Sequence, residues 1–85
     1  MSHLLRVLLV DDEYLAIEDL LSIINWEETG FKIIGTARSG KQALKLLSEK
    51  PIDLVITDIS MPGMDGITLI EEARKNFPDL VFLLL

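Results

Sequence analysis

The sequence predicts an α/β layered domain on a parallel sheet, and two observations carry that expectation. Runs of branched apolar residues alternate with segments whose apolar residues recur at helical offsets, giving strand, helix, strand, helix, strand, helix, strand. The connections are short, so each helix serves as a crossover between parallel neighbours.

Residues 4–10 form the first strand, an apolar run that reads as buried on both faces and ends at Asp11 and Asp12. A helix over residues 14–24 follows, with Ile17, Leu20, Leu21 and Ile24 along one face and Asp12 as its cap. Residues 25–30 carry turn formers and charge, and residues 31–37, interrupted by Gly35, make a second strand at a sheet edge. Ser39 with Gln42 matches a capping box for a second helix, which has Ala43, Leu44, Leu46 and Leu47 on its apolar side and ends near Lys50. Residues 52–57 form a third strand, ended by Asp58, and residues 60–66 form a structured loop containing Pro62, Gly63 and Gly66. Asp65 caps a third helix with Ile67, Ile70, Ala73 and Phe77 on one face. Pro78 and Asp79 break it, and the apolar run over residues 80–85 is a fourth strand. Right-handed crossovers place the first helix on one face of the sheet and the other two on the opposite face.

Fourteen acidic residues against eight basic ones give a net charge of −6. That balance disfavours nucleic-acid phosphates and anionic lipid as direct partners and suits a divalent cation. The absence of cysteine excludes disulfides, thiolate nucleophiles and zinc-thiolate sites. Arg6 interrupts the apolar N-terminal stretch, which then runs into acids, so it reads neither as a signal peptide nor as a spanning helix. A soluble, cytoplasmic protein is expected, with His3 as a solvated residue.

The chemistry concentrates at strand ends. In an open parallel sheet, ligands bind outside the carboxyl ends of the strands, where the strand order reverses. Asp11 and Asp12 follow the first strand and Asp58 follows the third. If those strands are neighbours, three carboxylates converge, and such like charges are costly unless a cation joins them. Hard oxygen ligands of this kind favour Mg²⁺. Helix capping alone does not explain the set, because Asp11 is surplus once Asp12 caps the first helix.

Val10, Asp11, Asp12 and Glu13 after the first strand, together with Asp58 and the stretch Met61, Pro62, Gly63, Met64, Asp65, Gly66, resemble the receiver domain of bacterial response regulators. The resemblance covers essentially the whole chain. It implies a flavodoxin-like, doubly wound parallel sheet in the order 2-1-3-4, incomplete here with four strands and three helices. It makes Asp58 the phosphoacceptor, Asp12 a direct Mg²⁺ ligand, Asp11 a ligand through water, and Ser60 a ligand through its backbone carbonyl. The implied donor is a phosphohistidine on a sensor histidine kinase. The implied role is a switch controlling an attached output domain, in transcription, and not an enzyme beyond its own phosphorylation from a donor. Asn25 to Phe31, with Trp26 among them, resembles receivers joined to AraC-type output domains; the competing account is that Trp26 and Phe31 simply pack under the loop.

A complete receiver continues into a Ser or Thr at the end of the fourth strand, a helix, a fifth strand bearing a Lys, and a final helix. These 85 residues contain none of them, so the chain reads as one receiver domain over residues 1–85, truncated after the fourth strand. Lys41 and Lys45, at helical spacing, are expected on a solvated helix face and not as replacements. A half-bare sheet face and an unpaired fourth-strand edge then predict a homodimer or domain-swapped assembly. The alternative function is therefore a truncated or engineered fragment serving as an assembly unit without working phosphotransfer. A small hydrolase using Asp58 is disfavoured, since no further acid, lysine or histidine is placed to drive hydrolysis.

Overall fold

The computed structural model describes residues 4–23 and 25–85. The expectations for His3 and Ile24 lie outside the described residues. The elements run β1 (Leu5–Val10), α1 (Tyr14–Ile23), α2 (Trp26–Thr29), β2 (Phe31–Ala37), α3 (Gly40–Glu49), β3 (Leu54–Thr57), α4 (Gly66–Arg74) and β4 (Val81–Leu84). All strand pairs are parallel, in the order β2-β1-β3-β4. This is the flavodoxin-like arrangement expected, with the expected second and third helices as α3 and α4. The extra turn α2 falls where turn residues were expected; the Asn25 carbonyl accepts the Glu28 N–H at 3.2 Å to close it.

Strand alternation divides the core in two. Leu8, Val10 and Val55 join Ala43, Leu47, Leu69 and Ala73 under α3 and α4, whereas Val7, Leu9, Leu54 and Ile56 face Leu20, Trp26, Phe31 and Ile33. The helices thus cover the faces as crossover handedness predicts. The interruption at Gly35 is a bulge: Val7 pairs with Ile33 but Leu8 with Gly35, leaving Ile34 as the extra residue of β2. At the far end of the sheet from the strand-end acids, Arg6 locks β1 to β3. Its Nε and Nη2 donate to Asp53 Oδ2 and Oδ1, each at 2.9 Å, and its backbone N–H donates to Oδ2 at 2.8 Å.

Two helix faces differ from expectation. On α1 only Ile17 is buried; Leu20 is half-buried and Leu21 is 38% exposed. On α4 the inward residues are Gly66, Leu69 and Ala73, while Ile67 is 46% exposed. The cause is the seat of Gly66, where a Cβ would lie 2.6 Å from the Asp58 carbonyl oxygen. That contact fixes the rotation of α4, and positions three and seven residues on then face the sheet.

The capping box at α3 forms with a one-residue offset. Ser39 Oγ accepts the Gln42 N–H at 3.1 Å as expected, but Gln42 Oε1 reaches back to the Arg38 N–H at 2.8 Å. Asp65 caps α4, its Oδ1 accepting the Thr68 N–H at 2.8 Å, and this bond holds its carboxyl below the ordinary aspartate value.

Candidate phosphoacceptor and metal site

The ladder itself assembles the site. Val10 and Thr57 are paired at the ends of β1 and β3, and the Asp58 N–H donates to the Val10 carbonyl at 2.9 Å. On the other side, the Asp11 N–H donates to the Ala37 carbonyl at 3.0 Å. Asp11 and Asp58 therefore leave neighbouring strands at one level, with Asp12 beside them. All three are half-buried, and each offers a carboxylate oxygen within 4.8 Å of the other two. The first and third strands are neighbours, so the three predicted acids do converge.

Their hydrogen bonds differ. Asp11 Oδ1 accepts the Glu13 N–H at 2.9 Å, and Asp58 Oδ1 accepts the Ser60 N–H at 3.2 Å. Among the described residues, no hydrogen bond reaches the Asp12 carboxylate. Asp12 is not the cap of α1, correcting that expectation: the N–H groups of Ala16 and Ile17 both turn to the Glu13 carbonyl, so the helix begins one residue too late for it. The Asp12 carboxylate is left facing the cluster instead. The donor set consists of three hard carboxylates with no basic side chain among them, which fits a divalent cation such as Mg²⁺.

Ser60 lies in the loop after β3, with its amide turned to Asp58. Lys41 and Lys45 are exposed on α3, away from any ion pair among the described residues. Two features escaped the sequence reading. Gly66 donates its N–H to the Ile59 carbonyl at 2.9 Å and brings α4 against the Asp58 backbone, and Gly40 accommodates Met64, whose Sδ would lie 2.7 Å from a Cβ there. Glycine at a helix start is only a weak hint of such a close approach. The second feature is Arg38, whose guanidinium carbon stands 5.7 Å over the ring of Tyr14 at the same end of the sheet. Trp26 and Phe31 do pack under the loop, with ring centroids 6.3 Å apart, and Trp26 Nε1 donates to the Leu20 carbonyl at 3.1 Å.

A doubly wound parallel sheet with three acids gathered where its strand order reverses defines a class of α/β domain whose site lies at the strand ends. The family model for the response regulator receiver domain matches residues 7–85, and the chain belongs to that family. A transcriptional regulatory protein of Bacillus subtilis, YesN, is 39% identical over 80 residues, a stretch covering 94% of this chain and 22% of that protein. Among solved structures, a two-component transcriptional regulator AraC from Clostridium phytofermentans matches with TM-score 0.87 and 38% identity over 94% of this chain and 62% of that one. A CheX–CheY complex with BeF₃ and Mg²⁺ from Borrelia burgdorferi matches with TM-score 0.82 and 33% identity, covering 94% of this chain and 60% of that one. The chain thus spans less than two thirds of these relatives. The narrower resemblance to regulators of AraC type is matched as well. No helix among the described residues is long and apolar enough to cross a membrane.

Proposed function

We propose that this domain accepts a phosphoryl group on Asp58 from a sensor histidine kinase and thereby controls an attached output domain that regulates transcription. One observation carries the reading: Asp58 stands with Asp11 and Asp12 in a cluster no wider than 4.8 Å at the strand ends of a receiver fold. Asp11, Asp12 and Asp58, with the Ser60 carbonyl, would hold Mg²⁺, which supplies neutralisation of charge on the transferring oxygens. The residues do the positioning. The Ser60 amide holds Asp58 Oδ1, leaving the other carboxylate oxygen to attack phosphorus in line as the bond to the donor nitrogen breaks. The domain is a substrate of the kinase and a switch, not an enzyme with a substrate of its own. It acts in the cytoplasm and makes no direct contact with nucleic acid, in keeping with a net charge of −6.

The test is intact mass after incubation with Mg²⁺ and acetyl phosphate. A phosphoryl adduct on the wild-type chain, absent from Asp58→Asn, is expected; equal labelling of both, or labelling of neither, rejects the reading.

A second reading, an assembly unit, is favoured by one surface. Val81, Leu83 and Leu85 are 58%, 50% and 60% exposed along the β4 edge, which pairs with no further strand among the described residues. Beside them lies a groove of about 220 Å³ bounded by Leu20, Trp26, Phe31, Ile56, Leu83 and Leu85. Edges and patches of this kind invite pairing with a second chain. Sedimentation should show a homodimer or larger species, and a monomer at high concentration rejects this.

A further inference from the structure

We propose that Arg38 positions the anionic phosphoryl donor at the rim of the carboxylate cluster, an inference that rests on the phosphoacceptor reading of Asp58. Ala37, the last residue of β2, gives its carbonyl to the Asp11 amide, so Arg38 leaves the sheet beside the segment that bears the acids. Its guanidinium lies over Tyr14, two residues beyond Asp12. The pair ties together the segments following β1 and β2, which border the cluster.

A guanidinium on a segment hydrogen-bonded to the one bearing the acids is a candidate to pair with one of them. Among the described residues the ion pairs are instead Arg6 with Asp53 and Lys75 with Glu72. The Arg38 side chain is held by an aromatic face, which engages its charge but uses none of its N–H groups. Its planar fork is left to grip an oxyanion bidentately, the geometry that matches phosphate and acyl phosphate. Arg74, by contrast, donates to the Pro78 carbonyl and lies over Phe82 on the α4 side. The need for such a cation is electrostatic. Three carboxylates on a chain of net charge −6 repel an incoming phosphoryl dianion, and a fixed positive group at the rim offsets that repulsion during encounter.

In the transfer, a carboxylate oxygen of Asp58 forms a bond to phosphorus as the phosphorus–oxygen bond of an acyl phosphate breaks, and the departing carboxylate takes the electron pair. Arg38 forms no bond and exchanges no proton. It is a positioning residue, holding oxygens of the donor.

The test follows labelling of Asp58 by intact mass against acetyl phosphate concentration and ionic strength, with Mg²⁺ affinity read by isothermal titration calorimetry. In Arg38→Gln the half-saturating donor concentration should rise about tenfold and the salt dependence should flatten, with the maximal rate unchanged. Mg²⁺ should bind as tightly or more tightly, because a neighbouring positive charge is gone. Arg38→Lys should restore the salt dependence but only part of the donor affinity. Tyr14→Leu, which keeps the charge and removes its platform, should raise the half-saturating concentration by a smaller factor. Should Arg38→Gln lose Mg²⁺ binding as well, marking a folding defect, Tyr14→Leu decides. Wild-type donor dependence in the deciding variant overturns the role of Arg38. If the wild-type chain is labelled and Asp58→Asn is not, that failure removes Arg38 alone; if neither is labelled, the phosphoacceptor reading falls and Arg38 with it.

Discussion

Within the described residues, the two faces of the sheet are covered to different extents. Under α3 and α4, ten buried residues form one cluster that includes Leu8, Val55, Leu69 and Ala73, the last three no more than 1% exposed. Under α1 and α2 the buried cluster is Val7, Leu9, Leu54 and Ile56, and an open apolar groove continues beside it. β4 records the contrast within a single strand: Val81 and Leu83 are exposed on the thin side, while Phe82 and Leu84 are half-buried on the covered side. Within these residues, β4 is packed on the face under α3 and α4 and open on the other. The covered face also positions the site, since the loop after Asp58 and the start of α4 pack there through Met61 and Gly66.

The largest expected effect tests that contrast in stability. Leu8→Ala should cost roughly 2–5 kcal/mol in urea unfolding, because the surrounding helices leave a cavity with little room to collapse. Ile56→Ala, beside the groove, should cost clearly less, and equal losses would break the comparison. Next, Gly66→Ala should cost about 1–3 kcal/mol, since its Cβ would meet the Asp58 carbonyl at 2.6 Å, and it should also weaken Mg²⁺ binding by displacing Asp58. Leu83→Lys, on the thin face, should change unfolding free energy by within about 0.5 kcal/mol while shifting any self-association toward monomer, as sedimentation would read. The smallest effect belongs to the Asp65 cap. Its folded-state value is lowered by the Thr68 bond, so its contribution is present above the ordinary aspartate value and is lost as pH falls through the lowered one. Asp65→Asn retains an acceptor and does not titrate, so its melting temperature should decline less over that acid range.

Much of the fold was legible because its signals are local. The caps at Ser39 and Asp65 need only a side-chain oxygen within one turn of the helix start, and both operate. The rotation of α4 was not legible: Ile67 and Leu69 are equally apolar in sequence, and only the approach of Gly66 to the Asp58 backbone selects Leu69. Asp12 was misread as a cap because sequence shows an acid before a helix but not which carbonyl closes the first turn. Arg38 gave no signal, since stacking on Tyr14 joins residues 24 positions apart.

By itself, the sequence determined the order of the four strands and the three longer helices, the separation of the acids onto two strand ends and the family to which the chain belongs, because periodicity, turn chemistry and short motifs are properties of contiguous residues. That β1 and β3 are neighbours was implied by the family resemblance and not by any local pattern, and only the tertiary structure brings Asp11, Asp12 and Asp58 within 4.8 Å. Strand adjacency is settled by long-range packing and hydrogen bonding, which no local pattern encodes. The same packing decided which residues of α3 and α4 meet the sheet.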